Sequence, residues 1–436
     1  MQTSKKREIG WYLSFFKKEL TENLLSFWMS RCLDKENGGY FNCFTNDGSR
    51  LVSADKYTWS EGRFLWIFSR LASIESDMFD SEERERFLKY AKSGKDFLLR
   101  HVLVDPAEDE PRCVFLTDAK GNPKRVRNHE GYDLSISADC FVLMGFAAYA
   151  RAASDKEAWL FAKRLGESVF NRYESLNCRT LPYPVSSKYI SHARPMLLTN
   201  VALELYYTAK LFEKSYTDFL FEKIEKYHRE IFETFTDENY LVHEFRFAKD
   251  LCDENLFVSH INTGHTIEDM WFQTEAADVL GCDTYLETIG KVIKRTMELG
   301  WDKEYGGLFH FIPCDGLTTK FEVGDAKDEP QMQLVLDDYS SKLWWVHSEA
   351  LYTTLLTYFR TKDSAFLEMF RKVFDYTFST FPNPDKDVGE WIQIRTRRGE
   401  PQEKVVALPV KEPYHIIRSI ILIIELLERE EKKNDQ

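Results

Sequence analysis

The sequence predicts an all-α fold, an (α/α)6 barrel with short β-hairpins in its loops, formed as a single domain over residues 1–436. Three observations lead there. Long segments place apolar residues at the i, i+3, i+4, i+7 spacing of amphipathic helices. The β signals are short and confined to the gaps between those segments. The gaps resemble one another at intervals that divide the chain into about six units.

The helical stretches run, in order, from Tyr12, from Arg63 to Leu71, Asp139 to Arg151, Ala202 to Phe212, Glu268 to Leu280, Trp344 to Phe359, and Tyr414 to Leu427. Between them, NGGYFNCFTNDG (37–48) and YGGLFHFIPCDG (305–316) each read as a Gly-Gly, an aromatic alternation and an Asp-Gly turn, the pattern of equivalent hairpins. Weaker relatives lie at 114–121, 241–247 and 391–399. The aromatic anchors Phe41, Phe115, Phe245, Phe309 and Trp391 are spaced by 74, 130, 64 and 82 residues. A degenerate hairpin near Leu181 to Tyr189 fills the long gap and completes six units, each with room for two helices and a loop. The repeats diverge too far, and their loops are too irregular, for an open solenoid, so ring closure is favoured.

Composition removes several classes of partner. The net charge of −13 gives no field attracting a phosphate backbone or an anionic lipid surface, so no nucleic acid or membrane partner is expected. Eight cysteines at 32, 43, 113, 140, 178, 252, 282 and 314 are scattered without a CxxC pair, which reads as reduced thiols and no zinc site. The N-terminus lacks an apolar signal region and no window approaches 18 uninterrupted apolar residues, so a cytoplasmic location is expected. No Gly-rich phosphate loop, GxSxG or HExxH occurs. Ten Trp, 21 Tyr and 33 Phe exceed what a core of this size needs, and aromatic faces stack on the C–H faces of sugars.

Four clusters carry candidate chemistry. In KYTWSEGRFLW (56–66), Trp59, Arg63 and Trp66 share a helix face, with the guanidinium between two indoles, either stacked as core or reaching a sugar oxygen. Lys56 and Glu61 flank them. In HINTGHTIEDMWF (260–272), a helix starting near Thr263 puts Glu268 on the face of His265, where it can orient the imidazole; His260, Asn262 and Trp271 belong to the same cluster. In KLWWVHSEA (342–350), Trp344 and Trp345 cannot both face a dry core, so one is expected to wall a cleft, near His347 and Glu349. In KEPYHIIR (411–418), His415, with Lys411 and Arg418 near it, is placed either as a satisfied core residue or as an acid/base across a barrel mouth from His265.

These motifs, taken in order over residues 34 to 425, resemble the N-acylglucosamine 2-epimerase family, with KYTWSEGR and the GGYF hairpin similar to its first repeat. The resemblance implies an (α/α)6 barrel acting on a mono- or disaccharide. It also implies catalytic His265 and His415, with Arg63 on a sugar oxygen and Glu268, Glu349, Trp344 and Trp345 in supporting or wall positions; the clusters themselves add Trp59 and Arg418 as substrate-binding candidates. The implied reaction interconverts N-acetylglucosamine and N-acetylmannosamine. A base removes the C2 proton beside the open-chain aldehyde, and an acid returns one to the other face of the enediolate. No metal and no cofactor is required; ATP is a candidate effector because some members of the family respond to nucleotides, and dimers are common among them.

Alternatives are an aldose–ketose isomerase of the mannose/fructose type, which delivers the proton to C1, and a cellobiose or mannose 2-epimerase. The latter resemble each other in a further His in the third repeat, where this chain has ARPMLLTN (193–200) with Leu197 at the aligned position. A glycoside hydrolase of the same barrel needs two carboxylic acids roughly 5 to 9.5 Å apart, whereas Glu61, Glu268 and Glu349 each sit beside a His or Arg. A non-catalytic sugar-binding protein predicts loss of a histidine, and both are present.

Overall fold

The computed structural model describes residues 2–249, 255–316, 323–406 and 408–434, which leaves Cys252 outside the described residues. The chain forms two compact units. One holds residues 1–178, 382–392 and 409–436; the other holds 179–381 and 393–408.

In the first unit, helices Thr58–Ala72, Ile136–Ala153 and Tyr414–Asn434 alternate in sequence with Gln2–Lys18, Ser81–His101 and Lys156–Glu174. Thr58–Ala72 and Ile136–Ala153 are buried nearly all round, whereas Ser81–His101 buries only Phe87, Ala91, Gly94, Phe97 and Leu98, a single stripe at helical spacing. Asp80 and Glu83 close a capping box at its start, and Asp155 caps Lys156–Glu174 through the Ala158 N–H. Ile136–Ala153 is long and apolar enough to cross a membrane, but 78% of it is buried within the protein, as a core helix is. It crosses Thr58–Ala72 backbone to backbone. A Cβ on Gly62 would lie 2.5 Å from the Phe141 carbonyl, and one on Gly145 would lie 2.5 Å from the Gly62 oxygen.

The second unit repeats the scheme. Helices Ala193–Phe212, Thr263–Leu280 and Trp344–Thr361 are heavily buried, and Thr217–Glu230, Tyr285–Gly300 and Ser364–Thr380 each bury one face. Antiparallel strand pairs precede the buried helices. Tyr189–Ser191 pairs with Phe245–Phe247, His260–Asn262 with Phe311–Pro313, and Lys342–Leu343 with Ile394–Arg395; in the first unit Lys56–Tyr57 pairs with Leu116–Thr117. The stretch from Leu181 to Tyr189 therefore ends in the strand that enters a buried helix.

The Gly-Gly turns of the two strongest hairpins are each closed by one bridge, Leu33 to Tyr40 and Trp301 to Leu308, and Phe44 to Leu51 adds a second across the Asp-Gly turn of the first. Their Gly-Gly pairs are explained by backbone angle: φ is +81° and +72° at Gly38 and Gly39, and +75° and +73° at Gly306 and Gly307. Asp34 and Asp302 open the two turns, each accepting two backbone N–H groups. A buried lysine then fastens each turn to the next helix. Lys56 Nζ lies 2.8 Å from Asp34 and 2.6 Å from the Gly38 carbonyl, and Lys342 Nζ lies 3.2 Å from Asp302 and 3.3 Å from the Gly307 carbonyl. Lys411 repeats the device with Glu390 at 2.6 Å.

Five residues beyond the first two lysines, an acceptor takes the N–H that follows the Gly-Gly pair: Glu61 takes Tyr40 N–H at 3.1 Å, and His347 Nε2 takes Leu308 N–H at 2.9 Å. His347 Nδ1 donates to the Leu343 carbonyl, so both nitrogens are committed, and burial pushes its pKa down to about 3. His347 is thus a neutral structural pin. Burial pushes Glu61 up to about 8 despite the nearby Lys56.

Two outcomes follow. Lys56→Met strands a buried carboxylate and is expected to cost about 3–5 kcal/mol, whereas Lys342→Met is expected to cost less, because Arg397 also pairs with Asp302 at 2.8 Å; urea melts of both variants read the difference. Glu61 holds a proton in the folded state that the unfolded chain has lost, so its contribution declines as pH rises from about 4.5 to about 8. Glu61→Gln removes that decline, and its melting temperature is expected to gain on the parent's as pH rises through this window, by differential scanning calorimetry.

Candidate active site

The sequence-derived candidates fall into two constellations, one in each unit.

In the second unit, Asn262 caps helix Thr263–Leu280 by accepting the His265 N–H at 3.2 Å, which places His265 in the first turn. Side chains lean toward the N-terminus of their helix, so the imidazole reaches back past the helix end. Its Nδ1 lies 3.0 and 3.1 Å from the two oxygens of Glu244, and its side chain stays 24% exposed. The carboxylate that takes His265 is therefore Glu244, from the segment before strand Phe245–Phe247, in place of the expected Glu268. Glu268 is buried one turn further along the helix.

With Nδ1 donating to a carboxylate, Nε2 of His265 carries the lone pair. Trp345 packs on His265 with ring centroids 5.4 Å apart and on His310 at 5.8 Å, while Trp344 is buried. Of the two adjacent indoles, Trp345 is the half-exposed one beside the histidine. Gly264 admits it: a Cβ there would come within 2.3 Å of the indole. Glu349 is fully buried and accepts the Trp271 indole N–H at 2.9 Å. His260 is a core residue whose Nδ1 donates to the Leu256 carbonyl.

Behind Glu244 runs a chain of buried polar groups. His192 Nδ1 is 3.7 Å from Glu244, and its Nε2 is 2.8 Å from Asp269. Burial alone would drive His192 down, but the two carboxylates raise it to about 9. Burial alone would raise Glu244, but His265 and His192 hold it well below the usual carboxylate range.

In the first unit, Arg63 lies on helix Thr58–Ala72 with its guanidinium 3.9 Å from the centre of the Phe141 ring, 4.9 Å from Tyr414 and 5.0 Å from Trp59. Trp59 stacks on it as expected. Phe141 and Tyr414 supply the other rings, and Trp66 packs edge-on against Tyr414 with Arg70 over its face. Arg63 also pairs with Glu412 at 3.5 Å. His415, in the first turn of Tyr414–Asn434, lies between two guanidiniums: Arg63 Nη2 is 3.4 Å from its Nε2 and Arg418 Nη2 is 3.3 Å from its Nδ1. A guanidinium only donates and a neutral imidazole accepts at one nitrogen, so one of these contacts is a hydrogen bond at a time. Glu412 accepts the Tyr414 N–H at 2.7 Å and fixes the helix start. Lys411 is buried in its structural pair with Glu390.

Glu244, His192, Asp269, Phe141, Tyr414 and Glu412 were missed by sequence reasoning. Glu412 lies inside the KEPYHIIR motif and was within reach; Glu244 lies 21 residues from His265 with no periodic signal to connect them.

Comparison with known proteins gives a consistent result. The N-acylglucosamine 2-epimerase of Bos taurus is 28% identical over 93% of this chain and 89% of its own length. The cellobiose 2-epimerase of Dictyoglomus turgidum is 25% identical over 95% of this chain and 99% of its own. The solved structure of cellobiose 2-epimerase from Bacillus thermoamylovorans superposes with a TM-score of 0.74 at 21% identity, covering 96% of this chain and all of that one. The fold shared with such structures is the (α/α)6 barrel. The pattern that defines "N-acylglucosamine 2-epimerase (GlcNAc 2-epimerase)" matches residues 39–419. By that match, which spans both constellations, the chain belongs to the N-acylglucosamine 2-epimerase family of carbohydrate isomerases.

Proposed function

We propose that this protein is a sugar 2-epimerase, a single catalytic domain that interconverts N-acetylglucosamine and N-acetylmannosamine or a closely related aldose. The observation that carries the reading is His265. Its Nδ1 is held by Glu244, its side chain is partly exposed, and Trp345 stands beside it to receive the apolar face of a pyranose-derived chain. Epimerisation at C2 needs one group to remove the proton and another to return it to the opposite face. His265 and His415 take those two roles.

Arg63 supplies the charge that stabilises the enediolate oxygen. It is suited to this because three aromatic rings and Glu412 fix its guanidinium before substrate arrives. The apolar Leu197, in the first turns of helix Ala193–Phe212, stands where the cellobiose and mannose enzymes resemble each other in a histidine; this supports the acetylated sugar. Buried free thiols at Cys32, Cys43, Cys113 and Cys140 support a reducing, cytoplasmic setting.

The purified protein incubated in deuterated water with N-acetylglucosamine, N-acetylmannosamine, mannose and cellobiose in turn, followed by NMR, tests the reading. Deuterium at C2 with epimer formation from an acetylated sugar is expected. Label at C1 of a ketose would make it an isomerase, and no exchange with any sugar would overturn the enediolate route. His265→Asn and His415→Asn are each expected to lower kcat by about 10³-fold or more. Arg63→Lys, which keeps the charge but loses the planar fork, is expected to lower it by about 10²-fold.

A further inference from the structure

We propose that Glu244, His192 and Asp269 form a charge relay behind His265, in which His192 is the buried counter-cation that keeps Glu244 ionised so that Glu244 can orient and charge-match the catalytic imidazole. The inference deepens the epimerase reading and rests on it.

Glu244 is placed by backbone as well as side chain. Its N–H donates to the His260 carbonyl and its carbonyl accepts from the His192 N–H, both at 3.0 to 3.1 Å, so the segment is stitched to the two strands that enter neighbouring buried helices. Its carboxylate accepts from His265 at 3.0 Å on one side, and on the other it lies 3.7 Å from His192 Nδ1, a charge contact without a hydrogen bond. His192 is completely buried, as is Asp269, whose Oδ2 is 2.8 Å from His192 Nε2. The second Asp269 oxygen accepts the Gln273 amide at 2.7 Å, and the Gln273 oxygen accepts His228 Nδ1–H at 2.7 Å.

An anion as enclosed as Glu244 requires a fixed cation. Besides His265, the histidines His260 and His310 lie near it, and burial depresses both, His310 to about 3, so neither supplies that cation at neutral pH. His192 is raised to about 9 and remains an imidazolium. Glu244 and Asp269 then flank the His192 ring, at 3.7 and 2.8 Å. When His265 accepts the substrate's proton, the positive charge it gains lies 3.0 Å from the Glu244 carboxylate. The charge change of the chemical step is thereby matched by groups already in place. Glu244 also selects the tautomer: it accepts from Nδ1–H, leaving Nε2 to act as base.

Glu244, His192 and Asp269 are thus positioning residues. Glu244→Gln is expected to lower kcat by about 10²-fold with KM changed less than about threefold, and to shift the Nδ1–H proton of His265 in NMR spectra of protein labelled with ¹⁵N-histidine. His192→Gln keeps the Glu244–His265 contact but removes the cation. Burial then raises Glu244, and the acid limb of the kcat profile is expected to move to higher pH by about one unit or more, with near-parent activity recovered at alkaline pH. A uniform loss across pH in His192→Gln, with the His265 Nδ1–H signal unchanged in Glu244→Gln, would overturn the relay and leave a structural role. The NMR arm needs no turnover, so a parent protein that failed to exchange any sugar would sink the epimerase reading while the tautomer shift still decided the relay.

Discussion

In three of the repeats the fold depends on a polar pin between a hairpin and a buried helix. A Gly-Gly turn leaves an N–H pointing into the protein, and an interior N–H without an acceptor costs about 1–3 kcal/mol. Glu61 and His347 are acceptors for such groups, and Asp139 serves similarly for the Cys113 N–H while paired with Arg172. The same geometric demand is met by a protonated carboxyl in one repeat, a neutral imidazole in another and an ion-paired carboxylate in a third. Lysines 56 and 342 add a second fastening from the strand side. Together they set the axial position of each buried helix relative to its loop, and the first turns of buried helices are where His265, Trp345 and His415 emerge.

Much of this was legible in the sequence. The seven stretches expected to be amphipathic all fall within helices, although most of those helices are buried on nearly every side and do not present one apolar face. The Gly-Gly pairs marked the hairpins because positive φ leaves little other choice of residue. Within the hairpins the local pairing is by isolated bridges, and the regular β pairing joins segments some 50 to 60 residues apart, which local alternation cannot reveal. His347 looked like a site residue because aromatic and histidine content is shared by pins and by sugar sites alike.

At the candidate site, the histidines and Arg63 could be picked out because they sit in dense motifs. The carboxylate partner of His265 could not. The i, i+3 spacing favoured Glu268, and that rule holds in the middle of a helix. At the first turn the side chain leans off the end, beyond its own helix, and its neighbour is decided by whichever loop passes there. The same limit applies to Arg63, whose Trp59 contact is local while Phe141 and Tyr414 arrive from other helices.

The contact between Gly62 and Gly145 bears on how Arg63 behaves in time. With no side chains between the two backbones, the joint lacks the soft rotamers through which packed helices usually slide, so the pair is expected to move as one body. Arg63 follows Gly62 directly, and the ring nearest its guanidinium belongs to Phe141, whose carbonyl Gly62 touches. Base and stacking partner are therefore mounted on the same stiff element. The motion left to the guanidinium is that of its own torsions, and thermal noise reaches this charge only through a side chain clamped at its far end.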